Sequence, residues 1–410
     1  MRRVVVTGMS GVTALGNDWP TIREAFKEGR TGIQHMADWD RYIDLNTRLA
    51  GPVQDFNVDK RYPRKKLRSM GPVSRMAVYA TEMALTNAGL IEDRKLFDSG
   101  RMGVSYGSSF GSTKPVVAFA ELMSEGTMRN LTATSYVKMM SHSAAVNIGV
   151  FFGLKGRIIP TSSACTSGSQ GIGYAYEAIK YGMQDVMVAG GAEELCPSMA
   201  AVFDTLYATS VKNETPELSP RPFDKDRDGL VIGEGAGSLI LEDYDHAIAR
   251  GARIYAEIVG FGTNSDGAHI TQPTKETMEL ALRSSLKDAK LDASAIDYVN
   301  AHGTATDRGD VAESHATLAV VGNQTPIHSL KSYFGHSLGA CGVIEAWLGL
   351  EMMREGWLTH TANLDNLDPE CAELDYIVNE GRNLDMEYMM SNNFAFGGIN
   401  TSLIFKKTID

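Results

Sequence analysis

The sequence has few cysteines and no long apolar run. Its 4 cysteines, at positions 165, 196, 341 and 371, are widely spaced and form no C-x-x-C pair. Such usage is typical of reduced thiols in a cytoplasmic protein and does not favour a structural zinc site. No apolar run reaches 18 residues, so we expect no membrane span. The start, MRRVVVTGMSGVTALG, indicates a first strand and not a signal peptide.

Positive charge is also scarce. The formal net charge is -11 at pH 7, which argues against a nucleic-acid partner. Neither a G-x-G-x-x-G fingerprint nor a P-loop is present, so nucleotide binding has little support. One basic segment is the exception, and it contains Lys60, Arg61, Arg64, Lys65, Lys66 and Arg68. Such a run is either a solvated face or a docking surface for a more acidic partner.

What the sequence does contain indicates an α/β protein larger than one ordinary domain. Its 410 residues are 43% hydrophobic and 22% charged, which is typical of a globular chain with a large core. Short β-branched runs alternate with helical patterns. The predicted strands are 3–7, 102–106, 185–189, 238–241, 254–259, 296–300, 327–331 and 401–405, and the predicted helices are 72–88, 169–181, 277–289 and 340–354.

Two weak internal repeats predict duplicated halves. ATEMALTNAGL (80–90) is similar to ALRSSLKDAKL (281–291), and each is followed by a short loop and a strand. CTSGSQG (165–171) aligns with HSLGACG (336–342), which places Cys165 opposite His336. We therefore expect one half over residues 1–250, with the cysteine, and a second over 251–410, with the histidine.

Three residues form the candidate chemistry. Cys165 lies in TSSACTSGSQGIG, directly before a predicted helix, where the helix N-terminus would lower the pKa of its thiol. A small buried core cysteine is the alternative. His302 and His336 each follow a predicted strand beside glycine. Zinc accepts such a Cys-His-His set, but the long separations do not favour a metal.

The C-terminal stretch SNNFAFGGINTSLIF adds a glycine turn after a further predicted strand. Gly397 and Gly398 let backbone approach a ligand, and the amide of Phe396 is then placed to donate to an oxyanion. A tight turn in the core is the alternative.

Six motifs together resemble one family. They are SSACTSGSQGIG, VMVAGGAEE, RPFDKDRDGLVIGEGAG, AHGTATDRGD, KSYFGHSLGACGVIEA and NNFAFGGIN, and they span nearly the full chain. The chain resembles elongating β-ketoacyl-[acyl-carrier-protein] synthases, which are condensing enzymes of the thiolase fold. The resemblance implies two duplicated βα halves stacked in five α-β-α-β-α layers. It also implies a cytoplasmic homodimer.

The resemblance assigns roles to the three residues. Cys165 attacks an acyl thioester on the acyl carrier protein, while the amides of Cys165 and Phe396 hold the oxyanion. Malonyl-carrier protein then loses carbon dioxide, and His302 and His336 stabilise the enolate that attacks the acyl-cysteine. This chemistry, which builds fatty acids, needs no metal or redox cofactor, because decarboxylation generates the nucleophile.

The resemblance also implies supporting positions. Lys331 and Glu345 lie where the family has a lysine and an acid near the second histidine. Thr304 and Thr306 match positions that bind the phosphopantetheine arm, and Phe396 matches a gating phenylalanine. The segment from Lys60 to Arg68 falls where relatives dock the carrier protein.

Two departures leave the pathway open. Ala395 replaces the usual glycine of the C-terminal turn, which predicts a stiffer loop, and Phe110 replaces a smaller residue of the acyl pocket. A ring there predicts a preference for short, unsaturated or flat acyl chains. Besides fatty acid elongation, the alternatives are a specialised ketosynthase for a polyene or polyketide-like chain and a non-catalytic, chain-length-setting subunit of a heterodimer. Residues Cys165, His302 and His336 all being present argues against the last.

Overall fold

The computed structural model describes residues 1–408, which fold into mixed α/β structure. The strands are β1 (Val4–Val12), β2 (Gln34–His35), β3 (Leu49–Gly51), β4 (Met102–Gly107), β5 (Ile158–Thr161), β6 (Val186–Glu193), β7 (Ile232–Gly233), β8 (Gly235–Asp243), β9 (Ala256–Ser265), β10 (Tyr298–Asn300), β11 (Pro326–His328), β12 (Trp357–Leu358), β13 (Asp375–Tyr376), β14 (Arg382–Asn383), β15 (Tyr388–Ala395) and β16 (Ile399–Lys407). The helices are α1 (Trp19–Lys27), α2 (Arg64–Leu67), α3 (Pro72–Asn87), α4 (Arg94–Asp98), α5 (Lys114–Glu125), α6 (Ser135–Met139), α7 (Ser143–Phe152), α8 (Ser167–Lys180), α9 (Pro197–Asp204), α10 (Tyr244–Ala249), α11 (Lys275–Ala289), α12 (Asp307–Val321), α13 (Lys331–Phe334) and α14 (Cys341–Glu355).

Hydrogen bonding joins 11 strands into one sheet, in the order β13-β11-β10-β15-β16-β9-β1-β8-β6-β4-β5. The sheet divides naturally between β1 and β9, which pair over only three residues, Val4 to Val6. On one side the order is β1-β8-β6-β4-β5, and on the other β9-β16-β15-β10-β11. These five strands on each side correspond in the same chain order, so the predicted duplication is present in the topology. Strand β13 extends the second side at its outer edge and has no counterpart in the sheet that residues 1–408 form.

The helices form three layers around these two halves of the sheet. Helices α3 and α7 pack on one outer face, and α11 and α12 pack on the other. Helices α8 and α14 lie between the halves and contact each other. Gly168 of α8 allows this approach, since a Cβ there would lie 2.9 Å from the Gly339 carbonyl oxygen. The stacking is the α-β-α-β-α arrangement of the thiolase fold.

Glycines make the same strand-to-helix contact in both halves. A Cβ at Gly8 of β1 would lie 2.3 Å from the Ala84 carbonyl oxygen of α3. A Cβ at Gly260 of β9 would lie 2.3 Å from the Ser285 carbonyl oxygen of α11. The first internal repeat thus corresponds to two equivalent outer helices.

The second repeat is displaced from its predicted register. Ala164 and Leu338 each begin a 3-10 turn, with φ of 50° and 45°, that leads directly into α8 and α14. The structural equivalent of Cys165 is therefore Gly339, and the predicted pairing of Cys165 with His336 is wrong by three residues. No helix among residues 1–408 is both long and apolar enough to cross a membrane.

Candidate active site

A strained turn presents the nucleophile candidate between β5 and α8. Cys165 lies in the 3-10 turn Ala164–Thr166, which Ala164 enters with positive φ. The Ser167 hydroxyl accepts from the Ser163 amide at 3.0 Å and donates to the Ala164 carbonyl at 2.7 Å. The Ser167 side chain, which follows the turn, thus bonds to the two residues at its start and fixes the backbone that carries the Cys165 thiol. The thiol is buried, with 4% of the residue exposed.

His336 approaches Cys165 as a hydrogen-bond donor. Its Nε2 lies 3.0 Å from the Cys165 Sγ, and its Nδ1 accepts from the Leu338 amide at 3.2 Å. An amide can only donate, so Nδ1 carries no proton and the neutral ring has its proton on Nε2. His336 is thus arranged to stabilise negative charge on sulfur or on a substrate oxygen.

His302 lies beside His336 on the loop that follows β10. The ring centroids are 5.1 Å apart and the rings are nearly perpendicular, at 87°. Glu313 fixes the loop, because its two carboxyl oxygens accept from the amides of His302 and Gly303, both at 2.7 Å. The Asn393 amide nitrogen lies 3.4 Å from the His302 Nδ1. Both imidazoles therefore face the thiol from fixed positions.

A buried ion pair lies behind the two histidines. The Lys331 ammonium bonds to Glu345, and both side chains are almost fully buried. Burial acts to lower the pKa of Lys331, but Glu345 and neighbouring groups act to raise it, and the net shift is upward. Burial and the Lys331 charge hold the pKa of both His302 and His336 well below the usual value. The two rings are therefore neutral at pH 7.

The thiol is not activated in the way the sequence predicts. Burial raises the pKa of Cys165 to about 11, although the Lys331 charge and the amides of Phe396 and of Cys165 itself act to lower it. The expectation of a lowered pKa is therefore wrong: desolvation in an apolar site outweighs the helix N-terminus and the nearby cation. The same two amides therefore lie close to the sulfur, where they are available to an oxyanion formed beside it.

A cavity of about 480 Å³ opens onto the three residues. Its walls include all three, together with Thr304, Thr306, Phe203, Ala395, Phe396 and Gly398. The hydroxyl oxygens of Thr304 and Thr306 are 2.9 Å apart. The Phe396 ring packs on Phe203 with 4.9 Å between centroids. The cavity thus has polar groups on one wall and an aromatic pair beside the thiol.

The glycine turn after β15 requires glycine for two reasons. Gly397 and Gly398 both have positive φ, of 86° and 69°. A Cβ at Gly398 would lie 2.7 Å from the Asp266 Cβ. The Gly397 amide also donates to the Ile270 carbonyl at 2.8 Å. The loop that carries Phe396 is therefore tied to the segment before α11.

Two groups of predicted site residues lie away from this cavity. Phe110 is 43% exposed and is not among the residues lining it. The six basic residues from Lys60 to Arg68 are all exposed on and around α2. Arg61 pairs with Glu82 at 2.7 Å. Within residues 1–408, the other five make no ion pair within 4.0 Å.

Sequence reasoning missed three buried side chains that support the site. They are Glu313, Asn393 and Cys341, whose Sγ lies 3.3 Å from the Cys165 carbonyl oxygen. Glu313 had one signal, since Asp310 and Glu313 are three residues apart and both lie on the buried face of α12. Asn393 and Cys341 lie inside two of the quoted motifs, but nothing there distinguishes them from their neighbours, because only packing between distant elements brings them to the site.

The Cys-His-His set also has the composition of a metal site. The Cys165 Sγ and one nitrogen of each histidine lie within 4.8 Å of one another. The Lys331 ammonium faces all three groups, since it lowers the pKa of each. A second cation would be repelled there, so the electrostatics favour an anionic intermediate over a metal ion.

A thiolase fold with a buried thiol, two neutral imidazoles and an amide pair defines a cysteine-dependent acyl-transferring enzyme. The chain belongs to the β-ketoacyl synthase family: the N-terminal domain model matches residues 1–247 and the C-terminal domain model matches residues 255–365. It is 38% identical to 3-oxoacyl-[acyl-carrier-protein] synthase 2 of Vibrio harveyi over 99% of both chains. It is 37% identical to synthase 1 of Escherichia coli K12 over 100% of both.

The chain also superposes on solved structures over its whole length. A β-ketoacyl synthase from Burkholderia phymatum STM815 superposes with a TM-score of 0.98 at 61% identity, covering 100% of both chains. The ishigamide ketosynthase/chain length factor superposes with a TM-score of 0.91 at 29% identity, again over 100% of both. A type II polyketide ketosynthase in complex with its acyl-carrier protein, AntDE:AntF, superposes with a TM-score of 0.87 at 30% identity over 100% of both chains.

Proposed function

We propose that this protein condenses an acyl group, held on Cys165, with malonyl-[acyl-carrier protein] to give 3-oxoacyl-[acyl-carrier protein] in fatty acid biosynthesis. One observation carries the proposal. The His336 Nε2 lies 3.0 Å from the Cys165 Sγ, and the His302 ring lies beside it in the same cavity. A nucleophile and two neutral N–H donors at one point suit a reaction whose intermediates are oxyanions.

The first step transfers the acyl group to sulfur. The Cys165 sulfur attacks the thioester carbonyl, and the amides of Cys165 and Phe396 stabilise the tetrahedral oxyanion. The C–S bond to the carrier then breaks. The thiol proton ends on the departing pantetheine sulfur, so acyl-Cys165 and free carrier thiol are the products. His336 donates to sulfur and therefore does not act as the base.

The second step makes the carbon nucleophile. As the malonyl C–C bond to the carboxylate breaks, its electron pair moves into the thioester, and the N–H groups of His302 and His336 stabilise the enolate oxygen. The α-carbon attacks acyl-Cys165 and the sulfur leaves. Carbon dioxide, the 3-oxoacyl thioester and the Cys165 thiolate result, and the thiolate takes a proton from water to restore the thiol. The electrons come from the substrate, so the proposed chemistry requires neither a metal nor a redox cofactor.

The acyl carrier protein is the proposed partner. Thr304 and Thr306 line the cavity and offer hydroxyls to the amide groups of a phosphopantetheine arm. The exposed and largely unpaired cations Lys60, Arg64, Lys65, Lys66 and Arg68 suit an acidic protein surface. We assign docking to this basic segment, together with Arg61.

A cytoplasmic homodimer is the proposed assembly, with the nucleophile in residues 1–250 and both histidines in residues 251–410 of each subunit. Strand β5 lies at the edge of the sheet, and Ile158 in it is 40% exposed. Val150 of the adjacent α7 is 74% exposed. An open edge beside apolar side chains favours pairing with a second copy. A heterodimer with a related subunit would use the same edge.

A specialised ketosynthase for a polyene or polyketide-like chain is the second candidate. Similarity to the ishigamide ketosynthase/chain length factor over the whole chain favours it. The accompanying preference is for short, unsaturated or flat acyl chains, and it depends on Phe110. That ring lies outside the cavity, so it would act on the acyl group only if a partner subunit or a loop movement brought it there. Equal rates with long saturated chains would contradict that preference.

The test is mass spectrometry of the protein with acyl-carrier proteins of graded length and unsaturation, followed by malonyl-carrier protein. We expect an acyl adduct on Cys165 and then a product two carbons longer. The preferred chain separates the two candidate functions.

Cys165→Ala is the matched control and should form no adduct. If the wild-type protein also forms no adduct with any chain, either alone or mixed with a related subunit, the proposed reaction is wrong.

A further inference from the structure

Asn393 is a buried polar residue at the active site without an assigned role. It lies in β15 and is fully buried. Its side-chain nitrogen donates to the Glu345 Oε2 at 2.8 Å and lies 3.4 Å from the His302 Nδ1. One amide group therefore contacts both the ion pair and a proposed catalytic imidazole.

The surroundings fix which way this amide points. The nitrogen faces a carboxylate oxygen, so exchanging the amide oxygen into that place would set two acceptors against each other. The Asn393 Oδ1 instead faces Gly342 of α14, where a Cβ would lie only 2.5 Å away. Glycine at this position thus leaves room for the amide oxygen.

The backbone of Asn393 is held as well. The Thr401 hydroxyl of β16 donates to the Asn393 carbonyl oxygen at 3.1 Å and bonds to the Ser169 hydroxyl at 2.8 Å. Ser169 lies on α8, the helix that follows Cys165. Asn393 is therefore positioned relative to the nucleophile as well as to the histidine.

This orientation decides the tautomer of His302. An amide nitrogen can only donate, so the His302 Nδ1 must accept, and the proton of the neutral ring lies on Nε2. We propose that Asn393 is a positioning residue that holds His302 with its Nε2–H toward the cavity, as stabilisation of the malonyl enolate requires. The inference rests on the proposed condensing activity.

Asn393→Asp tests this with little change in shape. The titratable and charged groups facing His302 are the Cys165 thiol, the Lys331 ammonium, the His336 ring and, at its backbone amide, the Glu313 carboxylate. A carboxylate at position 393 would accept from Nδ1, which moves the ring proton away from Nε2 and favours the protonated ring. It would also replace the donor to Glu345 with a second carboxylate, a change that Asn393→Ser does not make. Asn393→Ser removes the donor near Nδ1 without adding charge.

Nitrogen-15 NMR of histidine-labelled protein reads the tautomer without any reaction. The signals of His302 are identified by their absence in His302→Ala. We expect an unprotonated Nδ1 and a protonated Nε2 in the wild type, and a protonated Nδ1 in Asn393→Asp. A wild-type ring protonated on Nδ1 would overturn the inference, whatever the activity.

Kinetics separate the two steps. At pH 7 we expect Asn393→Asp to lower the rate of malonyl-carrier decarboxylation about 100-fold. This is the rate loss typical of removing one hydrogen-bond donor from an oxyanion hole. Acylation of Cys165 should change by no more than about threefold, because His336 retains its own contacts. The decarboxylation rate of this variant should also acquire a new dependence on the protonation of His302, and Asn393→Ser should retain more activity than Asn393→Asp.

Asn392→Asp is the matched control, since Asn392 is equally buried in β15 but its side chain lies on the opposite face of the strand. It should leave the His302 tautomer unchanged. If both Asn393 variants lose the acylation rate and the decarboxylation rate equally and keep the wild-type pH profile, the role of Asn393 is only structural. A wild type that does not decarboxylate malonyl-carrier protein would overturn the proposed function instead, and the NMR result would still decide the inference.

Discussion

The Cys165 thiol shows how burial and catalysis oppose each other at one residue. The apolar side chains of Met199, Phe203 and Leu338 belong to the same buried cluster. Excluding water strengthens the hydrogen bonds that later stabilise an oxyanion, but it also disfavours the thiolate and raises the pKa to about 11. The free enzyme therefore holds its nucleophile mostly as a thiol.

This predicts the pH dependence of Cys165 alkylation. The thiolate is the reactive form, and below the pKa its fraction rises about tenfold for each pH unit. Alkylation by iodoacetamide should therefore accelerate continuously from pH 7 to pH 9.5. Peptide mapping by mass spectrometry follows Cys165 separately from the three other cysteines.

Lys331→Met is the informative companion variant, because it removes a charge that acts to lower the pKa of Cys165. It should alkylate more slowly at each pH. A plateau of the wild-type rate near pH 8 would instead indicate a thiol of lowered pKa.

Helix α2 carries three cations that pair with no carboxylate among residues 1–408. Its buried anchor is Leu67, while Arg64, Lys65 and Lys66 are exposed. Lys66 contacts the Phe151 carbonyl at 3.1 Å, which ties α2 to α7. A short helix held by one apolar residue and displaying cations has a surface suited to electrostatic docking.

Charge reversal tests this docking surface. Lys65→Glu combined with Arg68→Glu should raise the KM for acyl-carrier protein about tenfold at low salt, since like charges then meet across the interface. Acylation of Cys165 by a small acyl-pantetheine thioester should not change. Steady-state kinetics at two salt concentrations measure both.

Lys27→Glu combined with Arg30→Glu makes the same change in net charge elsewhere. These cations are exposed on and after α1 and already pair with Glu24 and Glu28. An equal rise in KM for this control would indicate an effect of net charge alone, and docking at the basic segment would be wrong.

At the scale of the whole molecule, one edge of the 11-stranded sheet is left open. Strand β5 ends the sheet, and three of its four residues are at least partly exposed. Its neighbour β4, by contrast, is entirely buried. Edge strands of this kind are usually covered, and a second copy would cover this one symmetrically.

Disrupting that edge should separate the subunits. Ile158→Lys places a charge at the centre of the proposed contact, so light scattering after size exclusion should show a shift from twice 44.5 kDa toward 44.5 kDa. Ile43→Lys is the control, because Ile43 is 92% exposed but lies outside the edge strand. A wild-type protein that is monomeric at all concentrations would contradict the proposed homodimer.

Local pattern determined much of the architecture. Helices α3, α8, α11 and α14 were predicted within two residues at each end, because each is a long segment with few helix-breaking residues. Helix α14 is buried on nearly all sides and shows little apolar periodicity. Strand 327–331 was predicted too long: β11 ends at His328, and Lys331 begins α13. A further strand was predicted to end before SNNF, but β15 continues to Ala395. Its polar residues Asn392 and Asn393 are both buried, and Asn393 lies at the site.

The fold class, the first repeat and the candidate residues Cys165, His302 and His336 could be predicted from the sequence, because motifs with glycine beside reactive groups are local features. Tertiary structure alone decided how those residues behave. The raised pKa of Cys165, the proton on the His336 Nε2 and the contact of Asn393 with His302 all depend on groups far apart in the chain. Desolvation and hydrogen-bond direction exist only once those groups are packed together.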